Sequence, residues 1–312
     1  MPETQRLHLQ APSTDAEVPA WIEALGVPGI IDLHVHFMPD RVQQKVWGFF
    51  DRLGESGRLP WHITYRGSDE QRLQTLQALG VTAFTTLNYA HRPGMAQWLN
   101  DYSAGLAAAH PEVIHSATFY PESEAEDTAA AALQAGAQAF KIHIQVGGFS
   151  PIDAQLDAAW ALVAETAVPV IIHCGNGPHR GEHTGIGPIR ELLRRHPKLV
   201  LVIAHAGLPD YMAFADLAEE HPSVYLDTTM VGTTFMEQVA PLPTGYIDRL
   251  AELSGKVVLG TDFPTIPYSY SHQLQVLTDW GLGRDWLADV VWHTPKKLLG
   301  DRSTAGVEQA LS

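Results

Sequence analysis

The sequence predicts an α/β chain folded as one (β/α)8 TIM barrel. Three observations carry that expectation. Eight apolar, strand-like runs recur, spaced roughly 24 to 33 residues apart after a longer first interval. The intervals between them carry helical periodicity with polar faces. Ionisable residues stand at the C-terminal ends of several runs, which is where barrels of this type place their chemistry.

The totals agree with this. A chain of 312 residues with 45% hydrophobic content can bury the core of one barrel or of two ordinary domains. No run of about 18 apolar residues exists, so no membrane span is expected. The first residues lack the basic start and apolar stretch of a secretory leader. Net charge is −15 with no cluster of Lys and Arg, which argues against nucleic acid and anionic membranes as partners. Cys174 is the single cysteine, so no internal disulfide forms and a reducing, cytoplasmic setting is the expectation.

Taken in order, residues 1–17 are polar and read as a loose arm, followed by a short helix near 18–25. Together 1–28 form an N-terminal extension, 29–300 the barrel and 301–312 a C-terminal tail. The strand runs are 30–36, 81–87, 113–119, 138–144, 168–174, 199–205, 223–228 and 256–262. Most are too continuously apolar for one-sided antiparallel strands and suit a parallel sheet covered on its outer face. Ser68 and Gln71 make a capping-box pattern, with Leu73, Leu76 and Leu79 behind it at helical spacing. Further helices are expected at 94–109, 124–135, 152–166, 187–196, 209–220, 244–254, 271–280 and 284–299. His110, His196 and His221 each precede a proline, a helix-stop pattern that gives them a structural reading. An open doubly wound sheet is the alternative fold, but no Gly-x-Gly-x-x-Gly follows any strand.

The stretch 37–67 is a long insertion after the first strand and carries Trp47, Phe49, Phe50, Trp61 and Tyr65. It reads either as a small satellite core or as an aromatic wall or lid over a pocket. Trp280, Trp286 and Trp292 read as core or subunit contact, compatible with a homodimer or a higher homo-oligomer.

Candidate site residues follow from strand geometry. Residues two apart on a strand share a face, so His34 and His36 aim two imidazoles at one point, as a metal ion requires of its first ligands. Lys141 and His143 repeat the spacing, and His173, His205 and Asp262 end later strands. Such groups at the ends of apolar strands are costly to bury unless they share a purpose. Arg92 and Arg180, in the loops after strands 2 and 5, are candidates to bind an anionic substrate, with a solvated surface role as the alternative. Asn88, Tyr89 and His91 share the first of those loops; His179, Glu182 and His183 share the second. Cys174 should face the outer layer as a structural residue.

The segments IIDLHVHF, VPVIIHCG, LVIAHAG and LGTDFP resemble, in order, the strand 1, 5, 6 and 8 motifs of the amidohydrolase superfamily. The finer match is to its amidohydrolase-2 group of metal-dependent hydrolases and decarboxylases, over about 29–300. The resemblance implies that His34, His36 and His173 bind one divalent metal, usually Zn2+ with Mn2+ as the alternative. It implies Asp262 as a further ligand or the catalytic base, and His205 facing the substrate. Two metals would require a carboxylated Lys141; unmodified, Lys141 could hold a substrate carboxylate or pair with Asp262. His143 would orient a ligand or line the pocket.

Such a metal lowers the pKa of the water it binds to about 7. Asp262 could then manage the water's proton and His205 could donate a hydrogen bond to the oxygen that gains charge. Hydrolysis of a small lactone, amide or ester is the leading expectation. Non-oxidative decarboxylation of a small carboxylic acid is the alternative, and a non-catalytic binding protein the remote one.

Overall fold

Each apolar run forms a strand shorter than itself, because its last residues leave the sheet ladder to present side chains at the barrel mouth. The computed structural model describes residues 9–177 and 180–300. The strands are β1 (Ile30–Asp32), β2 (Val81–Thr85), β3 (Val113–Ile114), β4 (Ser116–Ala117), β5 (Ala139–His143), β6 (Val170–His173), β7 (Leu201–Ile203), β8 (Val224–Asp227) and β9 (Val257–Val258). All pairings are parallel, in the orders β1-β2-β3 and β4 through β9. The third run is split at His115, whose carbonyl accepts from Gln138 N–H at 2.8 Å and Ala139 N–H at 3.3 Å.

No regular ladder joins β9 to β1. That seam is held by Leu33 N–H to the Leu259 carbonyl (3.0 Å), Asp262 N–H to the His34 carbonyl (2.8 Å) and His36 N–H to the Phe263 carbonyl (2.8 Å). A single parallel bridge pairs Val35 with Phe263. The same backbone contacts therefore close the barrel and fix the candidate residues at its mouth.

The helices cover the sheet with their apolar faces. Ser68 caps the helix Asp69–Ala78 in a full capping box with Gln71. His110, His196 and His221 stand just past their helices, and each N–H returns to a carbonyl four residues back. The last segment is helical through 299 with a π-helical stretch Asp289–His293, and Trp286 and Trp292 are buried in the core. No helix among the described residues is long and apolar enough to cross a membrane.

The expectation of a loose arm over 1–17 is corrected for its described part. Leu9 is buried, and Asp15 accepts from Tyr65 OH and from Ser271 N–H (2.9 Å). A short acidic side chain here satisfies groups on two distant elements, and that could not be read locally. Residues 1–8, 301–312 and His179 lie outside the described residues.

The insertion contains the helix Asp40–Asp51. One face is anchored to the barrel: Arg72 donates to Gln43 Oε1 (2.8 Å), pairs with Asp69 and lies over the Trp47 and Phe37 rings. The other face looks over the barrel mouth. Both sequence readings of this stretch therefore apply, a satellite core behind and an aromatic wall in front.

Candidate active site

Two of the site residues sit in unfavourable backbone conformations. His205 (φ 54°) and Asp262 (φ 70°) lie in the left-handed region, which costs a non-glycine residue about 1–3 kcal/mol. His205 is held there by its N–H bond to Asp227 Oδ1 (2.7 Å). Asp262 is held by its N–H bond to the His34 carbonyl. Gly260 is needed for a different reason. A Cβ there would fall 2.2 Å from Thr229 Oγ1 and 2.7 Å from His34 Cβ, so only glycine lets the last strand pass this close.

The hydrogen-bond partners fix which ring nitrogen of each histidine carries its proton. A carbonyl can only accept, so His36 Nδ1 donates to the Leu87 carbonyl (2.7 Å), and Nε2 faces Asp262 Oδ1 (2.8 Å), donating to it while protonated and offering a lone pair to a metal once neutral. His205 Nδ1 donates to the Thr229 carbonyl (3.2 Å), leaving Nε2 bare. Lys141 Nζ, an ammonium, donates to His34 Nε2 (3.1 Å), so His34 Nδ1 carries the proton and donates to Asp227 Oδ2 (2.7 Å). His173 Nε2 donates to the Gly177 carbonyl (3.2 Å), leaving Nδ1 as its acceptor. His143 is the reverse case: its Nδ1 accepts from Val146 N–H (3.3 Å), so Nε2–H is free to donate.

The acceptors converge. His36 Nε2 is 2.8 Å and His34 Nε2 3.5 Å from Asp262 Oδ1. One ligand atom from each of these three residues lies within 4.8 Å of the others, a grouping that could hold a metal ion. With His36 neutral, two imidazole lone pairs and a carboxylate face one another, a donor set that fits a divalent metal. His173 is not within that trio; it stacks on His143 (4.0 Å between ring centroids) and lies 4.8 Å from the His205 ring.

Burial shapes the charge states. It pushes the His34, His143 and His173 pKa values well down, aided by neighbouring cations, and brings His205 to about 4. Burial also lowers Lys141 to about 8, against the opposing pull of Asp227 and Asp262. Burial alone would raise Asp262, but the hydrogen bond and charge of a protonated His36 hold it well below the usual carboxylate range.

Sequence reasoning passed over two acids. Asp227 accepts from His34 Nδ1, His205 N–H and Thr229 N–H (3.0 Å), tying three site elements together. Asp32 accepts from His34 N–H (3.0 Å), Thr261 Oγ1 (2.6 Å) and Tyr270 OH (3.0 Å). The available signal was an acid within or at the end of an otherwise apolar run, as with Asp262.

A cavity of about 1420 Å³ opens over this cluster. Lys141, His143, His173, His205 and Arg92 line it, but Arg180 is exposed and is not among the lining residues. Among the described residues lining it Asp262 is the one acid, in a chain of net charge −15. The aromatic wall is Phe50, Trp61 and Phe235 in ring contact at 4.7 and 4.8 Å, with Trp61 Nε1 fixed on the Thr265 carbonyl (2.8 Å).

A parallel β/α barrel with imidazoles and a carboxylate converging at the C-terminal ends of its strands defines the class. Within that class the chain belongs to the amidohydrolase family, whose sequence pattern matches residues 31–300. No curated protein matches the sequence. Among solved structures, it is similar to an uncharacterized TIM-barrel protein from Bordetella bronchiseptica (19% identity, 88% of this chain and 99% of that one, TM-score 0.63). It is also similar to 5-carboxyvanillate decarboxylase LigW from Sphingomonas paucimobilis (15% identity, 87% and 99%, TM-score 0.59). A third is a putative 2-pyrone-4,6-dicarboxylic acid hydrolase from Pseudomonas putida (15% identity, 88% and 98%, TM-score 0.59). At these identities the likeness shows the barrel fold alone. The family is an enzymatic one that includes both hydrolases and decarboxylases.

Proposed function

We propose that the protein is a metal-dependent hydrolase of an anionic small molecule bearing a lactone, ester or amide carbonyl. The observation that carries this reading is the convergence of His34 Nε2, His36 Nε2 and Asp262 Oδ1 as mutually facing acceptors. These three residues, with His173 Nδ1 as a further ligand, would hold a divalent ion, which when bound would supply a Lewis acid and an activated water. Zinc suits the imidazole-rich donor set, with manganese as the alternative.

The remaining roles divide by donor and acceptor. Asp262, held ionised, takes the water's proton and returns it to the leaving group. His205 presents a bare Nε2 and orients that water by accepting, so it is not the donor to the oxygen gaining charge. Lys141 Nζ and His143 Nε2–H supply that donation. Tyr89 lies over His143 with ring centroids 4.7 Å apart, and its hydroxyl is kept protonated by burial. Arg92, exposed at the mouth, draws in the substrate's negative charge.

Decarboxylation is the second reading, favoured by one observation: the buried Lys141 ammonium beside His34 suits a carboxylate at the reacting end. A panel of lactones, esters and aromatic carboxylic acids separates the two, with carbonyl cleavage followed by pH indicator and CO2 by gas analysis. Asp262→Asn should retain folding and lose at least about 100-fold in turnover. Unchanged turnover in that variant would sink both readings.

A further inference from the structure

The mouth of the cavity has a composition unlike the rest of the surface. Among the described residues the exposed large hydrophobics are Phe49, Trp98, Val146, Val239 and Met212, and all but Met212 line this cavity. They come from four separate segments, so the apolar rim is built by the loops and helices around the mouth and not by one stray patch. Interleaved with them are four exposed cations, Arg41, Lys45, Arg58 and Arg92. None of the four is in an ion pair among the described residues, so their charges are available at the mouth.

The helix Asp40–Asp51 shows the arrangement in miniature. Arg41 and Lys45 stand one turn apart, and Val42, Val46 and Phe49 run beside them at helical spacing. The cavity behind the rim, about 1420 Å³, exceeds the roughly 300–1,000 Å³ of an ordinary small-molecule pocket. Its polar, reactive end lies deep, its middle is aromatic, and its outer end is apolar and positive.

We propose that this site takes an anionic acyl compound with an extended apolar body. The carbonyl seats at His34, His36 and Asp262, the hydrocarbon lies along Phe50, Trp61 and Phe235, and the terminal anion is held by Arg41, Lys45, Arg58 and Arg92. This rests on the reading of the inner end as a place of carbonyl chemistry. A small single-ring acid would fill the inner end and leave the wall and rim wet. Exposed aromatic and aliphatic rim residues cost solvation in the free protein and regain it only on contact with a long apolar ligand.

The test is calorimetric titration of the zinc-supplied full chain with α,ω-dicarboxylates, from succinate to hexadecanedioate, which bind without turning over. Affinity should rise about fourfold per methylene until the chain spans wall and rim. Monocarboxylates of equal length should bind more weakly. Arg41→Ala combined with Arg92→Ala should cost about tenfold, an effect that salt erases. Both positions are exposed, so an unchanged thermal midpoint will show that the variant folds.

Affinity that does not change with chain length overturns the proposal. So does a rim found covered in a dimer by sedimentation and freed by Phe49→Ser with Val239→Ser. Repeating the series after chelator treatment separates this proposal from the reaction itself. A length dependence with no zinc uptake would defeat the proposed reaction and leave the rim assignment standing. Zinc uptake with a flat series would do the opposite.

Discussion

Asp227→Asn is the sharpest perturbation this site offers. The substitution keeps the shape and one oxygen, so the His205 and Thr229 N–H groups, now 2.7 and 3.0 Å from Oδ1, keep an acceptor. It turns an NH2 toward His34 Nδ1–H, which now donates to Oδ2 at 2.7 Å. Two donors then face each other in a fully buried site. Leaving the imidazole N–H unpaired costs about 1–3 kcal/mol. The escape is to move the proton to Nε2, which removes the lone pair aimed at Asp262 and Lys141. Either way the metal loses a properly presented ligand. Loss of such an orienting partner typically weakens metal binding 10–100-fold, or about 1.4–2.7 kcal/mol. Chelator competition measures the zinc affinity, and nitrogen-labelled imidazole spectra report the His34 tautomer. A zinc affinity within about twofold of the parent, in a folded variant, would refute the tautomer argument.

Other expectations follow from the same geometry. Metal-free protein should lose stability as pH falls from about 6.5 to 4. His205 has its pKa lowered to about 4 from 6.5, so the unfolded chain binds more protons there. Its share is about 3 kcal/mol, and His34, His143 and His173 act in the same direction. Asp32, raised to about 6 by burial, and Asp227, also raised by burial, oppose these imidazoles without outweighing them. Urea midpoints that stay flat over this range would contradict the burial of these imidazoles. Gly260→Ala should destabilise by about 1–3 kcal/mol and reduce zinc uptake, since its Cβ must displace Thr229 or His34; a neutral effect in urea unfolding would count against the close approach. Arg72→Ala should free the helix Asp40–Asp51, at a cost of about 3 kcal/mol. Proteolysis should then cut within 40–58 first; resistance there would show that other contacts hold the helix.

How much of this was legible in the sequence depends on the distance over which each signal acts. The strand runs, the Ser68 cap and the three His-Pro stops are local, and the structure places all of them where periodicity and capping chemistry put them. His34, His36 and Asp262 were legible because strand ends in a barrel must converge. Asp227 and Asp32 were not, because their value lies in partners from 2 to 238 residues away. The tautomers were not legible either, since each depends on a carbonyl or ammonium that only the fold supplies. The helix inside 37–67 escaped notice because its cations and apolar residues make sense only with a cavity beneath them.

The measurement that bears most directly on the central claim is metal content per chain, by elemental analysis of protein purified without added metal or chelator. The converging acceptors of His34, His36 and Asp262 lead us to expect about one equivalent of zinc or a similar divalent ion. His36→Ala and Asp262→Ala should each abolish most of it. No metal as purified, and none taken up when zinc or manganese is supplied, would contradict the account.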